Sequence, residues 1–123
     1  MTNPRVEICI DSQDPEALAP FWSAALGYGI GDMDSAGDYL DLVPPAGSAA
    51  PVVYLQRVPE PKSTKNRLHL DLYTADAQGL VARLETLGAT RSGDPMSGSE
   101  GGWWQVMTDP AGNEFCVCRD ETG

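Results

Sequence analysis

At 123 residues, with 41% hydrophobic and 21% charged side chains, the chain has ordinary globular composition and room for a single domain spanning 1–123, which excludes disorder as its main state and a second independent core. Eighteen acidic residues against eight basic ones give a formal charge of −10, which repels phosphate backbones and anionic lipid and speaks against nucleic-acid and membrane partners. No apolar run approaches the roughly 20 residues of a membrane helix, and the first residues lack the basic-then-apolar layout of a signal peptide, so the expected location is cytoplasmic.

Val6 to Asp11 alternates, with Val6, Ile8 and Ile10 on one face and Glu7, Cys9 and Asp11 on the other, and predicts a strand. Asp14 is placed to cap a helix with Pro15 at its first position. Leu18, Phe21, Trp22, Ala25 and Leu26 then recur at helical spacing until Gly27. Pro20, past the first turn, predicts a bend or a loosened start. Turn residues punctuate Tyr28 to Ser63 and predict short antiparallel strands, among them Tyr39 to Val43 and Val52 to Val58.

Residues 58–66, rich in Pro and Lys, read as a connector. Leu68 to Tyr73 alternates as a strand, Asp76 can cap, and Leu80, Val81, Leu84 and Leu87 form an apolar stripe ending at Gly88. After a Gly/Ser-rich stretch, Trp103 to Met107 and Glu114 to Cys118 predict two strands joined by the turn Asp109-Pro110-Ala111-Gly112-Asn113. The three cysteines, Cys9, Cys116 and Cys118, are odd in number and sit in apolar runs, so reduced thiols are expected rather than a disulfide framework.

The second half repeats the first. Matching Asp14 to Asp76 pairs the two strand-helix units at an offset of about 62 residues, Leu87-Gly88 echoes Leu26-Gly27, and Glu7 falls opposite His69. The expected fold class is therefore α+β, with two βαβββ modules at residues 5–58 and 66–118.

Four stretches now carry a resemblance: Asp14-Pro15 through Phe21-Trp22 to Leu26-Gly27, Arg67 to Leu72, Leu84 to Ala89, and Asp109 to Asn113. Together, in order, they resemble the vicinal oxygen chelate superfamily of glyoxalase I, extradiol dioxygenases and bleomycin resistance proteins, and most of all its glyoxalase-like branch. That resemblance implies two modules whose curved, barrel-like mixed sheets face each other as a cup for a small molecule, and a homodimer. Superfamily enzymes often hold a metal on the first strand of each module and on a last strand. Position by position this gives Glu7, His69 and Cys116, which departs from the usual His, His, Glu set. A thiolate is a poor ligand for Mn²⁺ or Mg²⁺, so no stoichiometric metal and no cofactor are expected.

Histidine is the side chain that ordinarily changes charge near neutral pH, so His69, the only histidine, is the candidate acid or base, with Glu7 as its carboxylate partner. Either can instead be a plain strand residue. Of the adjacent Trp103 and Trp104 only one can face inward on a strand; parity counted from the turn that the resemblance supplies implies Trp104, with Val106 beside it, and the symmetry of the modules adds Tyr54 and Gln56 as candidate pocket residues. Glu114 and Cys116 share that parity, with a surface glutamate and a packing thiol as the plain alternatives. Lys62, Lys65 and Arg67 form a basic cluster that could hold a substrate carboxylate but reads best as a solvated connector. Two functions follow: an enzyme acting on a small carbonyl or enol compound, or a protein that sequesters an aromatic or cationic compound.

Overall fold

The structure is a computed structural model that describes residues 2–98 and 101–120. The chain divides into two compact units, residues 1–61 and 62–123, with the division inside the expected connector.

The first unit runs β1 (Ile8–Ser12), α1 (Pro15–Leu26), β2 (Gly29–Met33), β3 (Tyr39–Val43) and β4 (Val53–Arg57). Its sheet has the order β1-β4-β3-β2, with β1 parallel to β4 and the other pairs antiparallel. Asp14 caps α1 by accepting a hydrogen bond from the Ala17 amide at 3.2 Å, and Gly27 ends it in the left-handed region at φ 70°, where a residue without Cβ is least strained. The helix continues through Pro20. The alternation of β3 and β4 buries Leu40, Leu42, Val53 and Leu55 against Leu18, Phe21 and Trp22 of α1. The Phe21 and Trp22 rings meet edge to face, 5.3 Å between centroids.

The second unit runs β5 (Asp71–Thr74), α2 (Ala77–Thr86), β6 (Thr90–Arg91), β7 (Met96–Ser97), β8 (Trp103–Thr108) and β9 (Glu114–Arg119). Its order is β5-β9-β8-β6, with β7 also pairing β8, and β5 is parallel to β9. Asp76 caps α2 through the Gly79 amide at 3.0 Å. Phe115, Val117, Met107 and Gln105 form the buried side of the sheet, and Ala77, Val81 and Leu84 the buried side of the helix. Gln105 Nε2 donates to the carbonyls of Gly93 and Val106 at 3.0 and 2.9 Å.

The fold is thus α+β with open mixed sheets, βαβββ in the first unit and βαββββ in the second, where β6 and β7 are two separate short strands that both pair with β8. The repeat extends to the register: Cys9 pairs with Tyr54, and 62 positions later Asp71 pairs with Cys116. Two strands begin later than expected. Val6 and Leu68 are 64% and 89% exposed, so pairing starts at Ile8 and Asp71, because nothing covers the first apolar residue of either run. Among the described residues no helix is long and apolar enough to cross a membrane.

Candidate functional site

Since alternate residues of a strand point to opposite faces, the helix-covered face of each sheet leaves a second face free to carry chemistry. In the second unit that face is set by two registers. Asp71 lies across from Cys116 and Tyr73 from Cys118, while Trp104 pairs with Cys118 and Val106 with Cys116. These side chains therefore form one continuous surface. A cleft of about 350 Å³ lies on it, lined by His69, Asp71, Tyr73, Trp104, Cys116 and Cys118, with Gly102, Trp103 and Arg119 completing the lining.

His69 stands two residues before Asp71, outside the regular strand but held close to it by the Cys116 amide, which donates to the Leu70 carbonyl at 2.9 Å. Its Nε2 lies 3.1 Å from Asp71 Oδ1, both side chains about two-fifths exposed at 41% and 42%. The Cys116 thiol sits beneath them, and the donor atoms of His69, Asp71 and Cys116 all lie within 4.8 Å of one another. Burial pushes this thiol up to about 11, and the Asp71 carboxylate adds to the effect by disfavouring a second negative charge. Cys118 is raised by burial and then by Asp71, and Tyr73 by the neighbouring Cys118 and Asp71. Burial and then the Asp71 carboxylate thus favour the protonated form of both thiols, and Cys118 and then Asp71 that of the Tyr73 phenol.

The expected residues divide between the units. Glu7 immediately precedes β1 and pairs with Arg5. Tyr54 and Gln56 share a face with Cys9, whose thiol approaches Gln56 Oε1 at 3.5 Å and Asp11 Oδ1 at 3.6 Å, and Gln56 donates to the Tyr39 hydroxyl at 3.4 Å. Within the second unit, the carboxylate beside His69 is Asp71. Trp104 and Cys116 line the cleft, and Val106 lies on the same face across from Cys116.

Glu114 shares that face, but its carboxylate accepts from Lys62 Nζ at 3.0 Å and from the Asn66 amide at 3.0 Å. Burial pushes the carboxyl up, yet those hydrogen bonds and the ammonium charge outweigh it and hold it below its ordinary value. Glu114 and Lys62 thus clamp the connector that leads to His69. Both tryptophans border the cleft, where strand alternation admitted one; Trp103 is the first residue of β8 and adjoins Gly102, at the end where the alternation begins. Asp71, Tyr73 and Cys118 were legible as parity partners of His69 and Cys116, two positions away on the same strands.

A family model described as a glyoxalase-like domain matches residues 7–118. The chain belongs to the glyoxalase-like domain family. No curated protein matches it. Among solved structures it is similar to a glyoxalase-related enzyme from Fulvimarina pelagi, at 15% identity and TM-score 0.73, covering 97% of this chain and 89% of that one. A glyoxalase/bleomycin resistance protein/dioxygenase family enzyme from Burkholderia phytofirmans PsJN has 14% identity and TM-score 0.72, covering 92% and 95%. A bleomycin resistance determinant encoded on the transposon Tn5 has 17% identity and TM-score 0.67, covering 97% and 99%. At these identities the likeness shows the fold.

Proposed function

We propose that the cleft of the second unit binds a small, partly aromatic organic molecule, neutral or cationic, with Trp104 and Tyr73 as its apolar contacts and the His69–Asp71 pair as its polar anchor. The observation that carries this reading is the 3.1 Å His69–Asp71 contact within a cleft that also holds both aromatic side chains. An aromatic face attracts positive charge. The nearby carboxylate and the chain's charge of −10 favour the approach of a cation over that of an anion. A thermal-shift screen of matched cationic, neutral and anionic aromatics tests it: a ligand at about 100 times its Kd adds about 2.7 kcal/mol of apparent stability. Trp104→Ala and His69→Gln should each remove the shift. If only anions stabilise the protein, and Lys65→Ala or Arg67→Ala abolishes the effect while Trp104→Ala does not, the connector is the binding element and the reading fails.

The same His69–Asp71 contact favours a second reading, in which the bound molecule is a carbonyl or enol compound and His69 exchanges a proton with it. Asp71 would orient the imidazole through the 3.1 Å contact. Deuterium uptake from solvent next to the carbonyl of a bound ketone, lost in His69→Gln, separates turnover from sequestration. The Tn5 neighbour is named a bleomycin resistance determinant, and recovery of the ligand unchanged would favour sequestration here.

A further inference from the structure

Gln105 is the one polar side chain on the buried side of the second sheet, beside Met107, Phe115 and Val117; it is fully buried, and its Oε1 has no hydrogen-bond partner among the described residues. A buried carbonyl left unpaired is unfavourable, so the glutamine has to be explained by what its Nε2 does. Strand β8 pairs with β6 at Met107 and with β7 at Trp104, and between those two points four residues, 92–95, face only Gln105 and Val106. Two residues are surplus, and the backbone ladder breaks there. The Ser92 amide still reaches the Val106 carbonyl at 2.9 Å. Gly93 then takes a left-handed φ of 74° and leaves the extended conformation. Gln105 Nε2 donates to the Gly93 carbonyl at 3.0 Å and to that of Val106 at 2.9 Å. A side chain from the core thus supplies the donor that the broken ladder does not.

We infer that Gln105 is a positioning residue for the cleft on the opposite face of the sheet: by tying down the bulge it fixes where β7 resumes, and β7 in turn holds the Trp104 ring. Opposed residues of an antiparallel pair share a face, which puts Met96 beside Trp104. A Cβ at Gly98 would come within 3.7 Å of Trp104 Cζ3, so residues 96–98 flank the indole directly. The inference rests on the reading of Trp104 as a wall of the ligand cleft, and it adds a residue that does not line that cleft. On the same geometry Gln105 contributes little to stability. In Gln105→Met an unbranched apolar side chain fills the space and the unpaired Oε1 is gone. Val106 keeps the Ser92 amide, and the carbonyl of the exposed Gly93 can turn to water. What the glutamine supplies is an arrangement rather than net binding energy.

The test is Gln105→Met in protein labelled with fluorotryptophan, with the Trp104 fluorine signal assigned by its loss in Trp104→Phe. The urea midpoint should stay close to that of the wild type, while the Trp104 signal shifts or broadens and affinity for N-methylquinolinium, a small aromatic cation, falls about fivefold. Deleting Asp94 and Pro95 leaves two residues facing two, so the ladder can close without the glutamine. In that shortened chain Gln105→Met should move neither the signal nor the affinity. A large drop in the urea midpoint, or loss of folding, would make Gln105 a residue of the core alone and overturn the inference. So would a Trp104 signal unchanged by Gln105→Met, or an equal response in the shortened chain. If N-methylquinolinium does not bind the wild type, that failure belongs to the ligand reading, and the ligand-free fluorine signal still decides the role of Gln105.

Discussion

The two units share a scaffold and differ in the face that the scaffold leaves free. In both, the first strand runs parallel to the last, an aspartate caps the helix, and alternate residues of the sheet are buried against it. On the open face the first unit carries Cys9, Gln56 and Tyr39, joined by contacts of 3.5 and 3.4 Å, with the Tyr54 ring 6.1 Å from that of Tyr39 between centroids. The second carries a carboxylate, a histidine and two buried thiols beside a cleft. Burial and capping thus constrain one set of positions in each repeat, and the other set was free to diverge into chemistry.

If the scaffold halves are equivalent, Leu55→Ala in the first and Leu84→Ala in the second, both fully buried, should each cost about 2–5 kcal/mol of stability in urea unfolding. A loss confined to one of them would break the equivalence. The next effect belongs to the second unit alone. Asp109 is 3% exposed, and its Oδ1 accepts from the Ala111 and Asn113 amides at 2.8 and 2.9 Å, with Asn113 Nδ2 at 3.2 Å from Oδ2. Asp109→Ala leaves those donors without their acceptor and should cost about 1–3 kcal/mol.

Thiol reactivity sharpens the contrast between the open faces. Cys116 is buried and raised to about 11, whereas Cys9 is exposed, so iodoacetamide at neutral pH should label Cys9 first. Labelling of Cys116 should rise only as pH climbs towards its own value, and peptide mass spectrometry reads the order directly. The smallest effect is the connector clamp. The folded Glu114 carboxyl lies below its ordinary value, so its stabilising contribution is complete above that value and is lost as pH falls through the folded one. An ion pair this near the surface contributes at most about 1 kcal/mol. Hydrogen exchange of the Asn66 amide should therefore accelerate in Glu114→Gln, and in wild type at acid pH, with little change in global stability.

Both helices, their caps and the longer strands could be read from the chain because each rests on local periodicity bounded by Asp and Gly. Three strands could not. The β2 run Gly29–Met33 has no clear alternation and lies at a sheet edge, and β6 and β7 have two residues each, too short for any period. At the site, His69 and Cys116 were expected from the resemblance to the superfamily, and Trp104 from strand parity counted from the family's turn. Asp71 lies two positions on along the same face, whereas the 62-residue repeat pairs His69 with Glu7. The partners of Glu114 lie 48 and 52 positions away, and no local pattern encodes an ion pair across that span.

The order of strands also sets when each half can take shape during synthesis. In both sheets the last strand to be made is interior: β4 lies between β1 and β3, and β9 between β5 and β8. Strand β5 has no neighbour until β9 emerges, more than forty residues after it, and such long-range pairing is slow to nucleate. In the half that carries the cleft, β6 and β7 can therefore pair with β8 before β9 is made, whereas β5 stays without a partner strand until β9 arrives. Cys116 and Cys118 ride on that last strand, so these two thiols become buried only when it enters the middle of its sheet.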